Sequence, residues 1–330
     1  MDKTEFQETK LVTLDDVREA QGRISHACLR TPVLQVLHPA SGEPTWVKAE
    51  SLQHTGSFKF RGAMNAVAAL SGTAGDRGVV TYSAGNHGRA LAYAARRAGV
   101  DATVVMPHTA PQFKVDVTRA LGATVVLRHP DEFVPHAHYL AEVQGLTLVP
   151  PYDDPLIIAG QGTAGLELLE QTDDVDVVLV PVGGGGLIAG VASAIKSLRP
   201  DVRIIAVEPE LAADLAEGYA KGERTVWSRE MTLRTIADGL RSAAVGELTW
   251  AHITALVDDV LAVSEESIVS AMRWLAQDGK LVVEPSGAVA NAALLEYSSE
   301  FEGRKVVTIA TGGNIDLQAY AGLITGPSDH

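Results

Sequence analysis

The chain is poor in cysteine, in aromatic residues and in basic residues, and each shortage closes off a class of function. A single cysteine, Cys28, among 330 residues excludes an internal disulfide and points to a reducing compartment, so a cytoplasmic location is expected. Only 27 lysines and arginines stand against 41 acidic residues, a formal charge of -14, so no sequence-wide field attracts DNA, RNA or anionic lipid. Nucleic acid is therefore not an expected partner. No apolar run is long enough for a membrane span. The longest, Val175 to Leu198, is interrupted by Pro181 and by four consecutive glycines, and it reads as strand, loop and helix. The opening residues, MDKTEFQETK, have no apolar core of the kind a signal peptide needs.

What the chain does have is hydrophobic residues, 46% of the total, enough to fill the core of one large or two ordinary domains. Short runs apolar on both faces read as strands of a covered parallel sheet: Gly78 to Tyr82, Ala102 to Met106, Thr124 to Leu127, Val177 to Val182, Ile204 to Glu208 and Val306 to Ala310. Helix-like segments lie between them, among them Gly88 to Ala98, Gln112 to Ala120, Gly160 to Gln171 and Leu187 to Leu198. The class is α/β with right-handed crossovers. The turn-rich VPPYDDP around Pro150 and Pro151 marks a candidate domain boundary.

Three loops could carry chemistry. In SLQHTGSFKFRGAMNAV, Lys59 stands at a helix start, where the macrodipole lowers an amine's pKa as a Schiff-base lysine requires. Taken alone, a lysine beside Phe58 and Phe60 is more often a surface residue with a buried stem. In TYSAGNHGRALAYAA, a strand end meets a helix start, a turn whose amides can hold a carboxylate, with Asn86 as a further donor. The plain alternative is a turn with Gly85 and Asn86 in left-handed conformations. In VPVGGGGLIAG, Gly183 to Gly186 join a strand to a helix. Bare amides there can converge on a phosphate, and a simple tight turn needs fewer glycines. The same loop also satisfies a dinucleotide fingerprint through Gly184, Gly186 and Ala189, with Glu208 as the ribose-binding acid, which defines a rival nicotinamide-dependent oxidoreductase.

With SFKFRGA at 57–63, SAGNHG at 83–88, PVGGGG at 181–186, VEP at 207–209, TIADGL at 235–240 and TGGN at 311–314, in this order, the chain resembles the serine and threonine dehydratase family. These are fold type II pyridoxal phosphate enzymes, a group that includes serine racemase and threo-3-hydroxyaspartate dehydratase. The resemblance implies two parallel-sheet α/β domains with the cofactor in the cleft between them. The large, cofactor-binding one would be residues 1–70 with 151–330, and the small mobile one 71–150. It implies that Lys59 holds pyridoxal 5'-phosphate as an imine, that Phe58 packs on the cofactor, and that Asn86 bonds its phenolic oxygen. Gly183, Gly184, Gly185, Gly186 and Leu187 would cradle the phosphate, with Gly239 and Glu284 nearby, although Glu284 also reads as a helix cap beside Pro285. Ser83, Ala84, Gly85, Asn86 and His87 would hold the substrate carboxylate, Ser83 counting with Lys59 among the catalytic residues.

The same resemblance sets Thr311 against the pyridine nitrogen. A neutral hydroxyl leaves that nitrogen largely unprotonated, which favours expulsion of a β-leaving group. The expected activity is thus an ammonia-lyase that eliminates water from L-threonine, L-serine or a related small 3-hydroxy amino acid, yielding a 2-oxo acid and ammonia. Serine racemase and threo-3-hydroxyaspartate dehydratase are the alternatives within the family. Ala84 stands where eukaryotic-type racemases carry a proton-donating serine, and a methyl group has no proton to give. Glu208, Ala212 and Asp214 match a divalent-cation site of metal-dependent members, with oxygen ligands suited to Mg2+, Mn2+ or Ca2+. A homodimer is implied by the same likeness. A non-catalytic amino-acid sensor keeping fold and cofactor is a further alternative, distinguishable because it would release no ammonia.

Overall fold

The computed structural model describes residues 10–70 and 77–326. The expected domain start at residue 71 and the chain ends, 1–9 and 327–330, lie outside the described residues.

Among the described residues ten strands, numbered in chain order, form two sheets. The larger runs β1 (Val33–Leu37), β2 (Pro44–Lys48), β10 (Val306–Ile309), β7 (Val177–Pro181), β8 (Arg203–Pro209) and β9 (Asp259–Val263). The smaller runs β5 (Thr124–Arg128), β4 (Ala102–Pro107), β3 (Val79–Tyr82) and β6 (Thr147–Leu148), all parallel. The larger sheet departs from the expectation of a purely parallel one, because β1 pairs antiparallel with β2 while the other pairs are parallel. The reason is connection length: only residues 38–43 separate β1 from β2, enough for a hairpin and far too few for a crossover.

Both faces of the larger sheet are covered, which explains its uninterrupted apolar strands. Along β7, Val177 and Leu179 point into one core with Ala288 and Val289, while Val178 and Val180 point into another with Ile188 and Val191. In the smaller sheet, Val79 and Val104 pack with Leu91 and Ala95, whereas Val80 and Val105 pack with Ala137 and Leu140.

The helices are α1 (Leu14–Ile24), α2 (Lys59–Ala69), α3 (Asn86–Ala98), α4 (Gln112–Ala120), α5 (Phe133–Gln144), α6 (Pro155–Gln171), α7 (Gly186–Leu198), α8 (Asp214–Lys221), α9 (Arg229–Thr232), α10 (Glu247–Leu256), α11 (Glu265–Gln277), α12 (Pro285–Glu296) and α13 (Leu317–Thr325). Two glycine contacts bring α2, α6 and α7 together. A Cβ on Gly160 would fall 2.6 Å from Gly62 Cα, and one on Gly190 would fall 2.2 Å from the Ile158 carbonyl. Just inside α2, the fully buried Arg61 bonds Glu50 through Nε and Nη2 and Glu167 through Nη1 and Nη2, while Lys48 Nζ also reaches Glu167. Burial opposes ionisation of Glu50, but Arg61 outweighs it and holds the carboxyl below its usual range. The start of α2 is thereby pinned to β2 and α6. Removing one partner of such a cluster leaves a buried charge uncompensated, which costs about 3–5 kcal/mol.

Candidate active site

Helix α2 opens at Lys59 itself, and Phe58 before it makes no side-chain cap. The half-buried lysine donates through Nζ to the Pro151 carbonyl at 2.6 Å, and its ammonium lies 5.1 Å from the centre of the Phe58 ring. Burial drives its pKa down to about 8. The lysine is thus no surface residue, and the cause of the shift is lost hydration of the ammonium where the sequence suggested the helix field.

Two helix starts led by a glycine present unused amides. Helices α1, α6, α11 and α13 are capped by the side chains of Thr13, Asp154, Ser264 and Asp316, whereas α3 and α7 begin after Gly85 and Gly185, which have no side chain to offer. Among the described residues, the amides of Gly183, Gly184, Gly185, Gly186 and Leu187 donate to no protein acceptor, although all but Gly184 belong to buried residues. Buried donors are almost always paired, so a run of five calls for an external acceptor, and a dianion at a helix N-terminus meets that need. The carbonyl of Gly184 is turned the other way, accepting from the Gly246 amide at 3.2 Å and from Thr249 Oγ1 at 2.8 Å.

The glycines also have a reason in the protein's own packing. A Cβ on Gly184 would lie 2.1 Å from the Tyr152 ring, one on Gly186 would lie 3.0 Å from Tyr152 Cα, and Gly185 has φ +88°. A count of four glycines is therefore partly explained by Tyr152, and it is the orphaned amides that argue for a phosphate. Gly183 packs on Leu240, and the neighbouring Gly239 donates its amide to Ser286 Oγ at 2.8 Å.

At the start of α3 the amides of Ala84, Asn86, His87 and Gly88 likewise have no acceptor among the described residues, while that of Gly85 is taken by Ser83 Oγ at 3.2 Å. Gly85 has φ -132° and Asn86 is the first helical residue, so neither supplies the left-handed turn of the plain alternative. His87 is buried and bonds the Val149 carbonyl at 3.0 Å through Nε2, which makes Nε2 the protonated nitrogen. Burial, followed by the charge of Lys59, pushes its pKa down to about 3, so it is neutral.

Glu284 stands at the N-cap of α12, yet its side chain caps nothing: Asn86 Nδ2 donates to Glu284 Oε1 at 2.5 Å. Burial first, and then Asp238, push the Glu284 carboxyl up to about 7. Gly312 permits the contact, since a Cβ there would meet Glu284 Oε1 at 2.3 Å. Thr311 is buried, and its carbonyl accepts from the Phe58 amide at 3.0 Å, which sets it beside the lysine segment.

Glu208, Ala212 and Asp214 lie on β8, between β8 and α8, and at the start of α8, with Asp214 near enough to Tyr152 to add, after burial and Asp153, to the raised pKa of the Tyr152 hydroxyl. Glu208 is buried and accepts from the amides of Leu215 at 3.3 Å and Ala216 at 2.8 Å, capping α8 from a distance. Its side chain has no exposed surface, so a ribose cannot reach it, which removes the acid that the dinucleotide reading needs. Asp214 is buried too, and among the described residues its Oδ2 has no hydrogen-bond partner. Burial pushes both carboxyls up, Asp214 to about 7. Among the described residues no group of three or more His, Cys, Asp or Glu side chains surrounds this pair.

Several groups at the site escaped sequence reasoning. The carbonyl that receives Lys59 and the ring that covers the glycine turn come from Pro151 and Tyr152, in a segment whose only sequence signal was its richness in turn residues. An ion pair from α4, Lys114 to Asp238 at 2.5 Å, joins elements of the two sheets beside Gly239. Asn314 contacts Asn86 across 228 residues of sequence.

A family profile described as pyridoxal-phosphate dependent enzyme matches residues 24–312. An L-threo-3-hydroxyaspartate ammonia-lyase of Saccharomyces cerevisiae is 42% identical over 321 residues, covering 96% of this chain and 98% of the relative. A catabolic L-threonine dehydratase of Staphylococcus aureus is 40% identical over 327 residues, with 97% and 94% covered. The crystal structure of serine racemase from Dictyostelium discoideum superposes with a TM-score of 0.87 at 40% identity, covering 94% of this chain and all of the other. An amine freed of part of its proton affinity and two sets of unclaimed amides, on a fold shared with these proteins, accord with the family that the comparisons show: the chain belongs to the pyridoxal-phosphate dependent enzymes, within their serine and threonine dehydratase group.

Proposed function

We propose that this protein is a pyridoxal 5'-phosphate dependent ammonia-lyase that removes water from a small 3-hydroxy amino acid, the class to which L-threonine, L-serine and threo-3-hydroxyaspartate belong. The observation that carries the reading is the conjunction of Lys59, its pKa pushed down to about 8, with the orphaned amides of Gly183 to Leu187. The residues fit the cofactor: an amine to hold the aldehyde end, five amides for the dianion, and Asn86 with a hydrogen to spare. Bound there, the cofactor supplies an electron-withdrawing ring that acidifies the Cα–H of the amino acid joined to it.

The chain's own residues do the rest. Ser83 and the amides of Ala84, Asn86 and His87 hold the substrate carboxylate, with Gly85 turned inward onto Ser83. The Lys59 amine, about one tenth of it neutral at pH 7, takes the Cα proton, and the β-hydroxyl departs as water once protonated. Hydrolysis of the resulting enamine consumes one water and releases a 2-oxo acid and ammonia. Thr311 offers the ring nitrogen a hydroxyl and no acid, which disfavours storing negative charge and favours elimination. Ala84 has no acidic proton for the opposite face, so elimination is preferred to racemisation.

In this reading residues 71–150 form a small mobile domain against residues 1–70 and 151–330, and the Lys114–Asp238 and Asp131–Arg229 pairs bridge the two when the cleft is closed. A divalent cation, Mg2+, Mn2+ or Ca2+, at Glu208, Ala212 and Asp214 completes it, supported by the two crowded carboxyls and the orphaned Asp214 Oδ2. A homodimer is supported by Leu52 and Val282, apolar side chains each 49% exposed, whose segments meet at Gly313. A cytoplasmic location fits the free Cys28. Ammonia release by the cofactor-loaded protein, screened over L-serine, L-threonine, D-serine and both diastereomers of 3-hydroxyaspartate, tests the function. Release from at least one L-3-hydroxy amino acid is expected, and binding of amino acids without any ammonia would leave a sensor.

A further inference from the structure

Asn314 closes the TGGN motif, and nothing in the site as built above gives its side chain a task. Its Nδ2 donates to the Thr55 carbonyl at 2.7 Å and to Asn86 Oδ1 at 2.7 Å. A peptide carbonyl only accepts, so the Asn314 atom facing Thr55 is nitrogen, and its two hydrogens are both spent. The Asn86 atom facing Asn314 must then be oxygen. That in turn aims Asn86 Nδ2 at Glu284, where one hydrogen is used at 2.5 Å and one is left over.

We infer that Asn314 is a positioning residue that fixes which way the Asn86 amide faces, so that Asn86 offers the cofactor's phenolic oxygen a hydrogen and never a lone pair. Glu284 cannot fix this alone. Its carboxyl is pushed up to about 7, so a protonated Glu284 could equally donate to a flipped Asn86 oxygen. The anchor is the backbone on the far side. Thr55 has φ +61° and Gly56 φ +76°, both in the left-handed region, and the Gly56 carbonyl accepts from the Gly313 amide at 3.0 Å. A Cβ on Gly56 would lie 2.4 Å from Asn314 Oδ1, so the turn is shaped closely around this amide. A non-glycine residue held at positive φ stores backbone strain, and here the strained carbonyl is the one that orients Asn314.

The inference rests on the reading that Asn86 faces the phenolic oxygen, and the test separates the two. Pyridoxal phosphate is titrated into the apoprotein, and the visible band and its pH dependence are recorded for wild type, Asn86→Ala, Asn314→Ala and Asn314→Asp. Asn314→Asp keeps the shape but presents only acceptors, so Asn86 must turn its nitrogen toward residue 314. Cofactor affinity should then fall about ten-fold, the worth of one good hydrogen bond, with a displaced band. Asn314→Ala leaves Asn86 free to choose and should fall between this and wild type. A purely packing role predicts the reverse order, with the isosteric aspartate the milder change. Wild-type affinity and band in Asn314→Asp, while Asn86→Ala alters both, would overturn the inference. An Asn86→Ala protein that itself behaves as wild type would instead remove the reading beneath it. If Asn314→Asp does not fold, Asn314→Ala decides, since unchanged affinity and band there overturn the inference equally.

Discussion

Replacing Lys59 by methionine should stabilise the apoprotein at neutral pH, although it abolishes the proposed chemistry. The Lys59 ammonium is desolvated enough to lower its pKa from 10.5 to about 8. Between those values the native state binds fewer protons than the unfolded chain, so stability rises as pH increases through this window, and at pH 7 the penalty is fully present. A shift of that size corresponds to about 3 kcal/mol, an upper bound because the side chain is only half-buried and bonds the Pro151 carbonyl. Lys59→Met should therefore raise the Tm of the apoprotein by a few degrees at pH 7, with the gain shrinking toward pH 10. The same shift makes roughly one lysine in ten neutral at pH 7, about 300-fold more than an unperturbed amine. The rate at which apoprotein captures pyridoxal phosphate should accordingly rise with pH to a midpoint near 8. A midpoint at or above 10, together with a Lys59→Met apoprotein no more stable than wild type at pH 7, would refute the reasoning.

Gly184→Ala drives a methyl into the Tyr152 ring and should weaken cofactor affinity ten-fold or more on the order of a lost core fit; adding Tyr152→Ala should restore part of it, and no rescue would mean that Tyr152 is not the obstacle. Lys114→Asp should raise KM several-fold with a smaller change in kcat, since the pair with Asp238 lies outside the reacting groups, and the swap Lys114→Asp with Asp238→Lys should recover it. Steady-state kinetics over a range of salt checks this, and a KM indifferent to both variants would contradict the bridging role. Because the Asp214 and Glu208 carboxyls are raised in the folded state, the native protein binds more protons there and stability falls as pH rises from about 4 through 7. Mg2+, Mn2+ or Ca2+ should then raise Tm more at pH 8 than at pH 6, an increment lost in Asp214→Asn; equal increments at both pH values would count against a cation between these carboxyls.

Much of this was legible in the sequence because the period-two and buried-strand patterns are strong where both sheet faces are covered. Val177 to Val182 anticipated β7 within a residue, and Gln112 to Ala120 matched α4. The strands β1, β2, β6 and β9 were not seen: β1 and β9 are edge strands with half-exposed, mixed faces, β2 is half-exposed on one face, and β6 is two residues long. Within the site, the residue types that chemistry demands stood out: an amine at a helix start and glycines before another. What stayed hidden depends on which distant groups meet. The Asn86 amide is held by Glu284 and Asn314, far away in sequence, and the depressed Lys59 pKa reflects burial that no local pattern encodes. The rival reading of Glu208 as a ribose ligand stayed open in the sequence for the same reason, because its partners at Leu215 and Ala216 follow from how α8 folds back on β8.

Borohydride reduction of the protein loaded with pyridoxal phosphate, followed by peptide mass mapping, tests the central claim most directly. The account predicts a phosphopyridoxyl group on the peptide containing Lys59 and on no other, and none in Lys59→Met. A modified lysine elsewhere at full occupancy, with Lys59 untouched, would contradict it.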